Sequence, residues 1–251
     1  MQTMYAAIGE AIYSLLLPPP SAPVLPGIVW GRFDALFTPA YWCGQAWQHE
    51  RLGTYSDARL GLDLREELAA CLLGGFGMKA ELALAAFRRL RDDGYLANKP
   101  SAYILEKALT EPFLVEGKFY RYRFPRQKAI YLAECLKQLE YLSEPTCDLR
   151  LRDELAALPG IGLKTASWIV RNHRASNEVA IIDVHILRAG RLIGIFGSRK
   201  EPSQHYRELE AAFLDFSVAI DVPAGLLDGL MWDYMRRFGT SFIVHNRIGH
   251  A

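Results

Sequence analysis

The stretch Leu158-Pro159-Gly160-Ile161-Gly162-Leu163-Lys164-Thr165-Ala166 constrains this chain more than any other. Upstream of it, Leu151, Leu155 and Leu158 recur at helical spacing, with Asp153 and Glu154 in the first turn. Downstream, Ala166, Trp168, Ile169 and Val170 continue an apolar pattern to about Arg171. Two helices joined by a five-residue turn are therefore expected, with Pro159 stopping the first. Gly160 and Gly162 can take backbone angles closed to other residues and leave amide N–H groups uncovered. With the positive N-terminal end of the second helix, those amides form a site for a phosphate oxygen. An ordinary helix corner uses the same Pro-Gly-x-Gly, so the turn alone does not separate the two readings.

Two further features bear on the choice. Lys164 falls in the first turn of the second helix, where the macrodipole opposes an ammonium and so favours the neutral amine that nucleophilic chemistry needs. Further on, Glu178-Val179-Ala180-Ile181-Ile182-Asp183-Val184-His185 places one carboxylate at the end of an apolar segment, where Asp183 heads a new helix as its N-cap. This constellation, densest from Leu149 to Leu192, resembles the helix-hairpin-helix, Gly/Pro-rich, catalytic-Asp superfamily of DNA glycosylases. Within it, the lysine after the hairpin and the Asp-Val-His are most similar to the 8-oxoguanine glycosylase/AP lyase branch.

The resemblance implies an all-α, two-lobed fold with the active-site cleft between the lobes. We expect residues 1–63 to pack with the C-terminal lobe, 64–150 to form a central helical lobe, 151–175 the helix-hairpin-helix, and 176–251 the catalytic-Asp loop and C-terminal lobe. It also implies roles. Lys164 would attack the sugar and form a Schiff base, with Asp183 stabilising the cationic sugar and activating the nucleophile. Monofunctional relatives lack the lysine and use water. Gly160, Gly162 and His185 would hold the DNA backbone, joined by Arg126 and Lys128 beside Arg123. Phe76, between glycines in Gly74-Gly75-Phe76-Gly77, would be the wedge filling the space left by a flipped nucleotide. Asp228 and Trp232, four positions apart, would pair with and stack on the damaged purine. Relatives often hold a monovalent cation with the hairpin carbonyls.

Composition is compatible with this. The 251 residues carry a formal net charge of +1, so a nucleic-acid surface must be local. Lys118, Arg121, Arg123, Arg126 and Lys128 form such a run without an acidic residue, interleaved with Phe119, Tyr120, Tyr122 and Phe124. The four cysteines, Cys43, Cys71, Cys135 and Cys147, are too scattered for a zinc knuckle or a disulfide framework. Nor do they make the C-terminal cluster that endonuclease III relatives use for iron and sulfur. No required cofactor is expected, and the partner is double-stranded DNA with a damaged or modified base. No apolar run approaches membrane-spanning length, and we expect a soluble cytoplasmic monomer.

Residues 1–17 read as a short amphipathic helix ending at Pro18-Pro19-Pro20, and 18–60 as irregular and aromatic-rich, with a helical turn or more at Trp42–Trp47. Two alternatives carry the same residues. A thymine-glycol-type glycosylase is disfavoured by the missing cysteine cluster and by Asp-Val-His. An accessory component of an antiphage system, acting on a modified nucleobase or binding DNA, is not.

Overall fold

The computed structural model describes residues 1–53, 58–75, 77–97 and 99–248, and from 238 on the helix backbone alone. Phe76, expected as the wedge, lies outside the described residues. The chain divides into two compact units, one of Met1–Asp57 with Asn177–Ala251 and one of Ala58–Ser176.

The first unit opens with a correction. Instead of a helix, Gln2–Ile8 (β1) and Ala11–Leu17 (β2) pair as an antiparallel hairpin with Met4 opposite Leu15 and Ile8 opposite Ala11. Gly9, first of the two turn residues, takes φ +62°, a conformation that tight hairpins assign to glycine. A second small hairpin joins Pro23–Leu25 (β3) to Ile28–Val29 (β4). Helix α1, Pro39–Leu52, then extends well beyond the turn expected there. Thr38 caps it by accepting the Tyr41 N–H, and Pro39 stands where its missing N–H costs nothing. The aromatics of this region form core: Trp42 is fully buried, stacked on Phe37 and edge-on to Tyr41 and Tyr234.

The second unit is helical apart from one hairpin. It comprises α2 (Leu64–Leu73), α3 (Ala80–Asp92), α4 (Ala102–Thr110), strands β5 (Phe113–Val115) and β6 (Lys118–Tyr120), α5 (Pro125–Gln138), α6 (Asp148–Ala156) and α7 (Leu163–Arg174). Helix α2 is the hub, packing on α3, α5 and α7, while α4 lies on α5 and α6 on α7. Its sequence explains this: Leu68, Leu72, Leu73 and even Glu67 are buried, so apolar residues surround most of the helix. Asp63 caps α2 through the Glu66 N–H at 2.9 Å.

The chain then returns to the first unit with α8 (Val184–Ile193), α9 (Pro202–Ala219) and α10 (Ala224–Ile248), where α10 packs on α1, α8 and α9. Ten helices among the described residues make the architecture mainly helical, as the sequence implies, with three hairpins the sequence reading lacks. No described helix is long and apolar enough to cross a membrane.

Candidate active site

The hairpin of the second unit is built as its residues require. Helix α6 buries Leu151 and Leu155, and the turn anchors itself with Leu158 and Ile161. Gly160 takes φ +75°, and a Cβ there would overlap the Tyr131 ring, so two independent constraints demand glycine. Gly162 differs from expectation. Its φ of −96° is open to any residue, and a Cβ would meet nothing within 4 Å. It is the N-cap of α7 and lends no side chain to the first-turn amides, which therefore stay uncapped. Packing does not require glycine here, though its N-cap position favours it. Two of the hairpin carbonyls are engaged, Leu158 by the Ile161 N–H and Pro159 by the Cys135 thiol.

Lys164 is half-buried in that first turn. Its ammonium lies 5.7 Å from the centre of the Trp168 ring and makes no ion pair or hydrogen bond among the described residues. Trp168 can lie there because Gly74 has no side chain: a Cβ at 74 would come within 3.1 Å of the indole. Lys128 turns inward rather than toward solvent. Its Nζ donates to the carbonyls of Leu72 at 2.6 Å and Gly74 at 3.3 Å, closing the C-terminal end of α2. Burial, and secondly the charge of Lys164, hold its ammonium below the ordinary lysine value. Arg126 is exposed, and Arg123 lies over the Phe124 ring at 4.9 Å. With Ile130 and Tyr131 these residues line an open cavity of about 540 Å³.

Asp183, in the first unit, caps α8. Its Oδ1 accepts the N–H groups of His185 (2.8 Å) and Ile186 (3.0 Å), leaving Oδ2 without a partner among the described residues. The segment leading to it is clamped by Glu210 and Tyr206, which sequence reasoning missed, and by Asp228, which it placed at the base. Glu210 accepts the Ala180 N–H, Asp228 the Ile181 N–H, and the Tyr206 hydroxyl the Ile182 N–H. Tyr206 also donates to the Ala180 carbonyl at 2.7 Å. These clamps lie 24 to 47 residues away in sequence, too far for any local signal. Asp228, expected at the base, is thus almost wholly buried against the loop that carries Asp183. Trp232 is half-buried, edge-on to His185 with ring centres 6.1 Å apart, and Arg236 lies over its indole at 4.8 Å. The buried Nδ1 of His185 has no hydrogen-bond partner among the described residues. The structure therefore groups His185, Trp232 and Asp183 in one unit, and Lys164, the hairpin glycines and Arg126 in the other. No set of three or more His, Cys, Asp or Glu side chains among the described residues is placed to hold a metal ion.

The family model for 8-oxoguanine DNA glycosylase with a helix-hairpin-helix matches residues 49–222, a span that includes both Lys164 and Asp183. The chain belongs to the 8-oxoguanine DNA glycosylase family. A curated relative, the 8-oxoguanine DNA glycosylase/AP lyase of Metallosphaera sedula, is 35% identical over 117 residues, covering 44% of this chain and 57% of that protein. The enzyme of the same name from Saccharolobus islandicus is 29% identical over 125 residues, 46% of this chain and 60% of its own length. The match thus spans about three fifths of these relatives. Among solved structures, the Methanocaldococcus jannaschii 8-oxoguanine glycosylase/lyase in complex with DNA containing 8-oxoguanine gives a TM-score of 0.60 at 21% identity, over 79% of this chain and 98% of that one. The Thermotoga maritima 8-oxoguanine DNA glycosylase gives 0.55 at 24% identity, over 78% and 88%. At such identities the likeness speaks for the fold.

Proposed function

We propose that this member of the family excises 8-oxoguanine from duplex DNA and nicks the strand at the resulting site. The observation that carries the reading is that Lys164 and Asp183 each keep a reactive group unengaged among the described residues: an ammonium without an anionic partner and a carboxylate oxygen without a donor.

The base must leave the stack to be reached. The phosphates beside it would sit on the uncapped amides of α7 and on Arg126, with His185 meeting another. Trp232, held edge-on to His185, would stack on the extruded purine. Asp228 would act from behind, by fixing the loop that carries Asp183. After its ammonium gives up a proton to solvent, Lys164 attacks C1′ as the N-glycosidic bond breaks; the purine departs with the bonding electrons and takes the proton that the attacking nitrogen then sheds. The Asp183 carboxylate stabilises the positive charge that develops on the sugar, a contribution of several kcal/mol in a site of this kind. Opening of the sugar ring gives the Lys164 Schiff base. Loss of a C2′ proton then expels the 3′ phosphate and cuts the strand.

Release of free 8-oxoguanine from a duplex that pairs it with cytosine tests the reading. We expect release by the native chain, loss with Asp183→Asn, and no release of undamaged guanine. Equal release by native and variant chains would overturn it.

A further inference from the structure

Lys128 occupies a place that the chemistry above leaves unused. It stands near the start of α5, half-buried, with no acidic partner among the described residues. Little there favours a cation. The helix presents its positive end, and the charge of Lys164 bears on the Lys128 ammonium. What holds it is the end of α2. That helix stops at Gly74 in an extended conformation (φ −79°, ψ −165°), without the left-handed residue and backbone bond that close α1 and α7. Side chains supply the missing donors. The Tyr122 hydroxyl donates to the Leu73 carbonyl, and Lys128 donates to those on either side, Leu72 and Gly74.

The backbone fixed in this way is the one that carries Lys164. The Trp168 indole lies against Gly74 so closely that a Cβ there would meet the ring at 3.1 Å. Lys164, one turn before Trp168 on α7, holds its ammonium over the same ring. Its charge also reaches the buried Cys71, near the end of α2. A lysine side chain has four rotatable bonds, and a flat wall beside it limits the directions its nitrogen can take. Attack on a sugar carbon requires one direction, since reacting atoms must meet in line at about 3–3.5 Å. We propose that Lys128 is a positioning residue for Lys164: it pins the Leu72 and Gly74 carbonyls, thereby seats the Trp168 indole, and so sets the line along which Lys164 reaches the sugar. This rests on Lys164 being the nucleophile. It also replaces the phosphate contact expected of Lys128 from the sequence, because the carbonyls already engage its Nζ.

The test needs one readout that does not depend on activity and one that does. In protein labelled with carbon-13 at lysine Cε, the NMR signal of Lys164 is identified by its loss in Lys164→Gln, and the indole ring current should displace it from the position of exposed lysines. Lys128→Met should return that signal to the exposed position. It should also slow borohydride trapping on an abasic-site duplex about tenfold or more, while DNA affinity by anisotropy changes less than about twofold. Lys128→Arg, which keeps a donor for the carbonyls, should retain both. Gly74→Ala displaces the indole with Lys128 in place, so it carries the test even where Lys128→Met folds poorly: it should reproduce both changes. The double variant should lose no more than the worse single one, since both act through the same wall. An unmoved Lys164 signal in folded Lys128→Met, weakened DNA binding with an unchanged trapping rate, or losses that multiply in the double variant would each overturn the inference. Any of these beside normal trapping of the native chain would sink this inference alone. A signal that depends on Lys128 in a chain that is never trapped would sink only the functional reading.

Discussion

The buried carboxylate of Glu67 accepts the side-chain amide of Asn172 at 2.7 Å and so joins the hub helix α2 to the second helix of the hairpin across 105 positions of sequence. Its other oxygen accepts the N–H groups of Leu60 and Gly61, both at 2.8 Å. Gly61 permits that approach, since a Cβ there would come within 2.5 Å of the Glu67 backbone nitrogen. A fully buried charge is tolerated because each of its oxygens receives donors.

Replacing Asn172 with Ala should therefore cost more than one hydrogen bond, because a buried carboxylate oxygen loses its amide donor. We expect a loss of about 1–3 kcal/mol. Urea denaturation checks it, with Asn172→Asp expected to be worse through repulsion of two carboxylates.

The two hairpin glycines should respond in opposite ways. Gly160→Ala forces a side chain into the Tyr131 ring at φ +75° and should lower stability by about 2 kcal/mol or more. Gly162→Ala meets nothing within 4 Å and should leave the melting temperature nearly unchanged while weakening DNA binding. A melting curve and a binding isotherm on the same two variants separate the roles. If Gly162→Ala binds DNA as the native chain does, the uncapped amides of α7 do not hold a phosphate.

How much of this was readable in the sequence depends on how local the causes were. The hairpin and its flanking helices announce themselves within nine residues, since proline, glycine and helical periodicity all act locally. The N-terminal segment did not. Ile8, Ala11, Ile12, Leu15 and Leu16 satisfy helical spacing, yet the pairing of Ile8 with Ala11 around Gly9 makes strands. Thr38-Pro39 was a legible start signal for α1, masked by the irregular, aromatic-rich stretch around it. Three contacts had no local trace at all: Glu67 with Asn172, Lys128 with the end of α2, and Asp228 with Ile181. Each is a polar residue whose burial is decided by a partner distant in sequence.

Asp183 should separate into two roles. Asn caps a helix about as well as Asp, so Asp183→Asn should change stability by less than about 0.5 kcal/mol, whereas Asp183→Ala should cost about 1 kcal/mol. Both should abolish base release. Retention of release by the Asn variant would confine Asp183 to capping.

Stability should fall on the alkaline side. Burial raises the Cys43 thiol to about 11 and the Cys135 thiol to about 12, with nearby carboxylates adding to it, and pushes Cys71 well above the ordinary value. A group whose value is raised by folding favours the folded state while protonated. That contribution is complete below the unfolded thiol value of about 8.5 and is lost as pH rises toward 11 to 12. The urea midpoint should thus drop between pH 8 and pH 11, and less so in Cys71→Ala measured against its own value at pH 8. The exposed Cys147 should react with a thiol reagent well before the other three.

The central claim is that Lys164 is a nucleophile, and borohydride reduction in the presence of duplex DNA carrying 8-oxoguanine opposite cytosine tests it most directly. Reduction fixes a lysine Schiff base as a covalent protein–DNA complex. We predict that the native chain is trapped and that Lys164→Gln, folded to the same melting temperature, is not. Trapping that survives in Lys164→Gln would contradict the account, as would strand cleavage by the native chain with no trapped complex.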